Sequence, residues 1–476
     1  MAMENTDLGA DGVRAIFGKM NRGADGVWFL GVGGVSMAAL AEATLRTGRR
    51  VGGSDRARNP RTDALRRMGA GILTGCDDPI PPGYGAAVYT VAIAPDDPQY
   101  RSALRQGLPL ISRADYLGYL TSPYQTRVGV AGMHGKSTCT AMLADILLAA
   151  GDPTVFAGAD LPALGGGPFR AGADRDVVLF EACEYMGSFL RLSPTLAVVL
   201  NVGMDHVDYF RDLAHVRATF RQFAGRSDRL LWNADDPESA RTFGDLPRAV
   251  TFSATDPNAD FSAANVRAAA GMVAFDFCED GRKTAAVSVP VVGRHNAANA
   301  LAAMAAARLC GVDAETAAEA LSGYRGAERR MEYRGTLNGA PVYDDYAHHP
   351  DQIRATIAGA RDLLPAGGRL LCVYQPHTFS RTAGLFEGFS KAFSGADRLF
   401  LADTYAARET DRQEFSSERL AAAVRRNGTD VTATGDVSAT AATVMETVRP
   451  GDLLLVMGAG DIEDVFSILP LENRTR

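Results

Sequence analysis

Lysine is nearly absent from this chain: four of its 49 basic residues are lysines, at positions 19, 136, 283 and 391. Basic excess is lacking too, with a net charge of −7 and a pI near 5.6. That balance argues against a nucleic-acid partner, which calls for a positive surface. The six cysteines (76, 139, 183, 278, 310 and 372) are scattered, with no C-x-x-C pair. Neither a zinc cluster nor a disulfide framework is indicated. No basic stretch followed by a short apolar run opens the chain, and no apolar run reaches the roughly 18 residues of a membrane span. A protein of the cytoplasm, with no membrane partner, is the expectation. What remains is ordinary globular composition, 46% hydrophobic and 22% charged over 476 residues, long enough for about three domains.

Against that scarcity Lys136 stands out. Val128 to Ala131 reads as a buried strand, Gly132-Met133-His134-Gly135 as a glycine-rich turn, and Lys136-Ser137-Thr138 as the start of a helix. Backbone N–H groups of such a turn can approach phosphate oxygens, and a helix N-terminus favours negative charge. Lys136 can reach β- and γ-phosphates, and the hydroxyl of Ser137 or Thr138 can hold Mg²⁺. The spacing, G-x-x-G-K-S, is shorter than that of most P-loops, because the residue five before Gly135 is Val130. The plainer alternative is a strand–turn–helix corner; we read a nucleotide site.

The rest of the chain reads as α/β. Residues 1–26 are polar and glycine-rich, with room for a short leading helix. Val27–Leu30 reads as a strand and Gly31-Val-Gly33-Gly34 as a tight turn into a helix over Ala38–Thr47. A second strand ends at Ser54-Asp55. Glycines at the turn and an acid about twenty residues later are the dinucleotide-fold opening, though Ser36 stands where a third glycine is usual. Further strands are expected at Ala87–Ile93 and Pro109–Ser112, then a linker at Thr121–Thr126. After the P-loop come short apolar runs at Asp176–Phe180, Leu196–Leu200 and Arg229–Trp232, the mark of a parallel sheet buried on both faces. Residues 258–292 alternate in polarity around a turn at Glu279–Arg282, an antiparallel insertion. Gly293 to Asn299 opens an alanine-rich helix, and Gly323–Glu332 reads as a second boundary. The expected domains are 1–123, 124–323 and 324–476: a Rossmann-like domain, a central P-loop ATPase-type parallel sheet with that insertion, and a second Rossmann-like domain.

Polar residues gather just past the C-terminal ends of the expected strands, where open α/β sheets place ligands. Glu181 and Glu184 follow one strand; Asn201, Asp205 and His206 follow the next. In the last domain the clusters are Asp344–Pro350, Gln375–Arg381, Asp403–Glu409 and Gly458–Asp461, a repetition that suggests one working edge. Of seven histidines, six (134, 206, 295, 348, 349 and 377) fall in polar clusters and His215 does not. Filler histidines would scatter as the cysteines do; for any one of them a satisfied structural role is the alternative. Glu181 and His206 suit a Mg²⁺ that keeps several waters. Glu184 reads as a solvated or capping carboxylate. Asp345 suits a ribose hydroxyl or a helix cap, and Asp344 reads as the cap. Arg330 and Arg381 suit a carboxylate or phosphoryl group held by paired N–H donors.

Taken in order, these motifs resemble the Mur ligase family over essentially the whole length, and Asp344-Asp-Tyr-x-His-His-Pro350 with Gln375-Pro-His377 resembles its alanine-adding type. The resemblance implies an ATP- and Mg²⁺-dependent ligase of peptidoglycan precursor synthesis, with UDP-N-acetylmuramate and L-alanine as substrates. In such an enzyme the lactyl carboxylate takes the γ-phosphate of ATP, and the amine then displaces phosphate from the acyl phosphate. By motif position it implies UDP-sugar binding at Gly31, Gly33, Gly34, Ser54 and Asp55, and ATP binding by Gly132 to Thr138. Lys136 would neutralise the phosphates, Ser137 or Thr138 would hold one Mg²⁺, and Glu181 with His206 another. It also implies His295, Asn296 and Asn299 on the ATP side, the two asparagines for the adenine, and Arg330 with Asp345 near phosphate and ribose. His348 and Arg381 would stand near the amino acid, so the catalytic set is Lys136, His206, His348 and Arg381. Four positions depart from the pattern: Met133 and Ser137 replace threonines, Gly203 an acid, and Thr378 an arginine. Rival readings are a sister ligase adding another amino acid or a tripeptide, an NAD-dependent dehydrogenase resting on Gly31–Asp55, and a non-catalytic nucleotide-binding regulator. The oligomeric state stays open, monomer or homodimer.

Overall fold

The computed structural model describes residues 8–20, 25–173, 175–247, 249–407, 409 and 416–473. Parts of the expected leading segment and Arg408 of the 403–409 cluster lie outside the described residues. The chain divides into two compact units: unit 1 is 1–202, 217–252 and 302–317, and unit 2 is 203–216, 253–301 and 318–476.

Unit 1 begins with the helix Gly9–Lys19 and a five-stranded parallel sheet: β1 (Gly26–Leu30), β2 (Val51–Asp55), β3 (Gly71–Thr74), β4 (Tyr84–Tyr89) and β5 (Leu110–Ser112), in the order β3-β2-β1-β4-β5. Its helices start where their caps dictate. Asn59 caps Pro60–Arg67 through a reciprocal bond with Thr62, Asp97 caps Pro98–Arg105, and Ser112 caps Arg113–Thr121. The second sheet of this unit holds β6 (Thr126–Ala131), β7 (Thr154–Leu161), β8 (Gly167–Arg170), β9 (Val177–Glu181), β10 (Leu196–Val199), β11 (Arg229–Asn233) and β12 (Val250–Ser253), in the run β12-β11-β10-β6-β9-β7-β8. All neighbours are parallel except β7 and β8, a pair the sequence pattern does not reveal.

The boundary expected near residue 123 falls inside unit 1. The helix Val35–Arg46 packs on β7 and β8. Arg61 donates to both carboxylate oxygens of Asp160, at 3.3 and 2.8 Å. Gly118 lies so close to Leu192's preceding carbonyl that an added Cβ would come 2.5 Å from Arg191 O.

Unit 2 contains the antiparallel meander β13 (Phe261–Ala269), β14 (Met272–Glu279) and β15 (Arg282–Val289). The two-residue turn between β14 and β15 has both central residues left-handed, Asp280 at φ 48° and Gly281 at φ 74°, the twist-matched hairpin turn. Its larger sheet holds β16 (Glu332–Leu337), β17 (Ala340–Asp345), β18 (Leu370–Tyr374), β19 (Arg398–Ala402), β20 (Val431–Gly435) and β21 (Leu453–Met457), in the order β16-β17-β21-β18-β19-β20. Only β16 and β17 pair antiparallel. Side chains alternate across a strand, so Leu370, Cys372, Tyr374, Leu453, Leu455 and Met457 join one apolar cluster, and Leu371, Val373, Leu454 and Val456 another. Both faces are therefore core, and the strands read as unbroken apolar runs. No described helix is long and apolar enough to cross a membrane.

Leu455 is fully buried at the centre of this sheet. Leu455→Ala should cost about 2–5 kcal/mol, seen as an earlier denaturant transition, whereas Leu104→Ala, at a position 57% exposed, should leave the curve in place.

Candidate functional site

In unit 1 β6 runs into the turn Gly132–Gly135 and then the helix Lys136–Ala150. Gly132 has φ 145°, and a Cβ there would come 3.1 Å from Leu200 Cβ and 3.2 Å from Asn201 N, so glycine is required. Gly135, at φ 83°, is the N-cap and offers no side chain to the first-turn amides; such an end suits an anion. Asn201 clamps the turn from β10: its Oδ1 accepts from His134 N at 2.9 Å and its Nδ2 donates to His134 O at 3.0 Å.

Lys136 Nζ donates to Gly132 O at 2.5 Å and to Glu184 Oε2 at 2.8 Å. Burial opposes its charge, but Glu184, Cys183 and Glu181 more than offset this, and the ammonium is held above its usual range. Glu184 is thus no solvated or capping carboxylate, as its sequence position suggests; it is 1% exposed and is the ion-pair partner of Lys136. Glu181 ends β9, and its Oε2 is buried with no hydrogen-bond partner among the described residues. The oxygen faces Gly158 of β7, where any Cβ would stand 2.3 Å away. A buried carboxylate oxygen left unmatched is costly. Glu181 ends the strand paired with β6, and the Ser137 and Thr138 hydroxyls lie in the first turn of the helix that follows β6; all three offer the oxygen donors that Mg²⁺ takes, and these residues fit that ion.

The other glycine turn is held from within. Gly31 N and Val32 N donate to Ser54 O at 2.8 and 3.0 Å, and Gly33 N donates to Asp55 Oδ2 at 2.7 Å. Gly31 has φ 74°, and a Cβ on Gly33 would meet Asn59 Nδ2 at 2.4 Å. Gly34 caps the following helix. Ser54 and Asp55 therefore shape the turn. A shallow open cleft in the same unit is lined by Val91, Ser112, Arg113, Met186, Ser188 and Arg191. Sequence reasoning missed Arg113 and Arg191. Arg113 carried one signal, its place directly after β5.

In unit 2 Asp205, 2% exposed, accepts from Arg381 Nε at 3.0 Å and from His206 N at 2.6 Å. Burial pushes its carboxyl up, but Arg381 and then His206, His348 and His349 hold it well below the carboxylate range. Arg381 Nη1 also meets His377 Nδ1 at 3.2 Å. His348 Nδ1 lies 2.9 Å from Tyr346 O, so it carries the proton and Nε2 keeps the lone pair. Burial, then Arg381, pushes His348 well below its ordinary value. His349 accepts from Asp351 N at Nδ1 and meets Met204 O at 3.2 Å through Nε2; burial lowers it too. Together with Gln352 it caps the helix Pro350–Arg361.

The cap expected of Asp344 is thus supplied by His349, and Asp344 pairs with Arg329 at 3.2 Å instead. Asp345 is buried and fully engaged, accepting from Met331 N and Ala347 N at 2.9 Å each and from Thr356 Oγ1 at 3.2 Å. Burial raises its carboxyl, while Arg330 pulls the other way. His295 lies against Gly293, burial lowers its imidazole, and Asp345 opposes that shift. Asn296 donates to Val292 O and accepts from Asn299, both at 2.7 Å. So Lys136, Ser137, Thr138 and Glu181 share unit 1; His295, Arg330 and Asp345 neighbour one another in unit 2, as do His206, His348 and Arg381 around Asp205.

Three domain families match in series: "Mur ligase family, catalytic domain" over residues 27–125, "Mur ligase middle domain" over 130–307 and "Mur ligase, glutamate ligase domain" over 329–460. The chain belongs to the Mur ligase family, a family of enzymes. It is 39% identical over 452 residues to a UDP-N-acetylmuramate–L-alanine ligase of Lachnospira eligens, covering 92% of this chain and 96% of that one. A protein of the same name from Clostridium perfringens is 37% identical, with the same coverage. Among solved structures, a UDP-N-acetylmuramate-alanine ligase from Thermotoga maritima superposes with a TM-score of 0.79 at 25% identity, over 93% of this chain and 97% of that one. A murein peptide ligase from Psychrobacter arcticus shares the fold, with a TM-score of 0.70 at 24% identity over 93% and 98%.

Because His348 is depressed below the roughly 6.5 of an unfolded histidine, the unfolded chain takes up its proton first as pH falls. The stabilisation is present above that value and is lost on acidification, by at most about 1.4 kcal/mol per pH unit. The stability difference between wild type and His348→Gln should therefore shrink between pH 7.5 and 5.5 in paired thermal melts. Taking the difference cancels Asp344 and Asp345, which act in the opposite sense. A constant difference would exclude the neutral imidazole.

Proposed function

We propose that the chain joins L-alanine to the lactyl carboxylate of UDP-N-acetylmuramate, with ATP as phosphoryl donor and an acyl phosphate as intermediate. One observation carries this reading above others: a glycine turn closed by Lys136 beside a buried Glu181 oxygen unmatched among the described residues, in a chain similar over 92% of its length to UDP-N-acetylmuramate–L-alanine ligases. The reaction passes phosphate between two anions, so neutralisation and positioning matter more than covalent catalysis. Lys136 stabilises charge on the β- and γ-phosphates. Ser137, Thr138 and Glu181 would hold Mg²⁺, which when bound shields the phosphates from the incoming carboxylate.

Asn296 and Asn299 serve the adenine side, with His295 beside them, and Arg330 with Asp345 the phosphate–ribose side. The glycine turn at Gly31, Gly33 and Gly34, held by Ser54 and Asp55, takes the UDP-sugar; Arg113 and Arg191 in the adjoining cleft suit its diphosphate. Arg381, oriented by Asp205, suits the carboxylate of the amino acid. His348 Nε2 can accept a proton from its ammonium, since the amine must be neutral to attack the acyl carbon. The three working domains are 1–123, 124–323 and 324–476, and the reaction belongs to the cytoplasm, where these nucleotide substrates are found.

A dehydrogenase is disfavoured, because it leaves Lys136, held over the turn by Glu184, and the histidine clusters without a role. Phosphate release by the full chain should require ATP, the UDP-sugar and L-alanine together. Lys136→Ala should lower it by about 10²–10³-fold, and its thermal melt, earlier because Glu184 is stranded, should stay cooperative. Gly158→Ala should raise the Mg²⁺ concentration needed for half-maximal ATP binding. Release with another amine in place of alanine would move the substrate; ATP bound without any release would leave a nucleotide-binding regulator.

A further inference from the structure

Arg330 lies between two left-handed residues, Arg329 at φ 54° and Met331 at φ 48°. Neither is glycine, so this turn must be held from outside. Four bonds hold its backbone: Arg329 N donates to Glu332 Oε2 at 2.9 Å, Arg330 N donates to Ala327 O at 3.2 Å, Met331 N donates to Asp345 Oδ2 at 2.9 Å, and Arg329 O accepts from Tyr346 N at 2.7 Å.

The Arg329 side chain does more than pair. Its Nε reaches Asp344 Oδ2 at 3.2 Å, Nη1 reaches Glu463 Oε2 at 2.9 Å, and Nη2 donates to Gly458 O at 2.7 Å. Asp344 lies near the end of β17, and Gly458 directly follows β21, its parallel neighbour. One planar fork thus spans two adjacent strand ends and the short 3-10 turn Asp461–Asp464. The guanidinium centres of Arg329 and Arg330 lie 5.2 and 5.3 Å from the centre of the same ring, Tyr346. Asp344 is 1% exposed, and its Oδ1 has no hydrogen-bond partner among the described residues. That carboxylate leans on Arg329, and burial pushes it up to about 7 even so. A lysine cannot replace such a fork, since one ammonium lacks the planar donor geometry.

We propose that Arg329 is a positioning residue for nucleotide binding: by fastening its turn to the ends of β17 and β21 it fixes where the Arg330 guanidinium stands, without itself touching the nucleotide. This rests on the reading of Arg330 given under the proposed function. The role differs from that of a general structural link because it acts through one neighbour.

A double-mutant cycle on the full chain separates the two roles. ATP affinity would be measured by titration calorimetry for Arg329→Ala, Arg330→Ala and the double variant, each with a thermal melt. Arg329→Ala should weaken ATP binding about tenfold. In the Arg330→Ala background it should weaken it little further, while lowering the melting temperature as much as before. Arg329→Lys should fall between, and it carries the same cycle should the alanine variant not fold. Unchanged ATP affinity in a folded Arg329 variant, or losses that simply add, would overturn the proposal. A wild-type chain that binds no ATP would instead overturn the nucleotide reading beneath it.

Discussion

A parallel strand covered on both faces has nowhere to put a charge except at its ends. In both units the alternating positions of the central strands are filled by apolar side chains, with Leu370 to Tyr374 and Leu453 to Met457 fully buried. Polar chemistry is displaced to where the chain leaves the sheet. Lys136 follows β6, Glu181 ends β9, Asp205 follows β10, Asp345 ends β17 and Gln375 follows β18. The same constraint makes the cores simple and the strand ends crowded with functional groups.

Crowding raises a second problem, because most of these groups are shielded from water. Each is answered by a specific partner: Glu184 for Lys136, Asp205 for Arg381, Arg329 for Asp344. Buried pairs of this kind are weak contributors to stability, yet removing one partner strands the other charge at a cost of about 3–5 kcal/mol. Their value is therefore in placement. Lys136 is drawn over the glycine turn by Glu184 and by Gly132 O, so its ammonium is already fixed, and little side-chain freedom is left to lose on binding an anion. Glu181 is the exception: its Oε2 is buried and matched by no donor among the described residues.

The strand-and-turn grammar was legible because it depends on local pattern. The apolar runs at β9, β10 and β11, the turn at Gly132–Gly135 and the hairpin at Asp280-Gly281 lie where periodicity and glycine put them. β7 and β8 were not legible: Thr154–Leu161 is broken by Gly158 and Asp160, and Gly167–Arg170 has four residues with a proline. Gly158 interrupts the pattern because the Glu181 carboxylate fills the space of its side chain, a reason that exists only in three dimensions. Side-chain roles failed for the same cause. Glu184 and Asp344 sit beside Glu181 and Asp345 in motifs that name both acids of each pair, and nothing in spacing says which acid holds a lysine, an arginine or a backbone amide. Arg113 and Arg191 become a pair only once the cleft between their segments is formed.

Backbone strain follows the same division. Among described residues, left-handed non-glycines include Asp280 and Asn338, each in a hairpin turn where the twist favours that conformation. Met186, His206, Arg329, Met331 and Thr378 are left-handed without a hairpin to explain them. Conformations of this kind cost about 1–3 kcal/mol each and persist only where the surroundings impose them. In unit 2 the imposing contacts can be named: His206 N is bonded to Asp205, Met331 N to Asp345, and Thr378 N to Tyr405 O. The acids that hold these turns are themselves fixed, Asp205 by Arg381 and Asp345 by Ala347 N and Thr356. A chain that wanted only a stable sheet would relieve such strain with glycine. Keeping side chains at 206, 329, 331 and 378 instead places a histidine and the two neighbours of Arg330 in fixed directions, so the strain marks where the fold gives up stability for position.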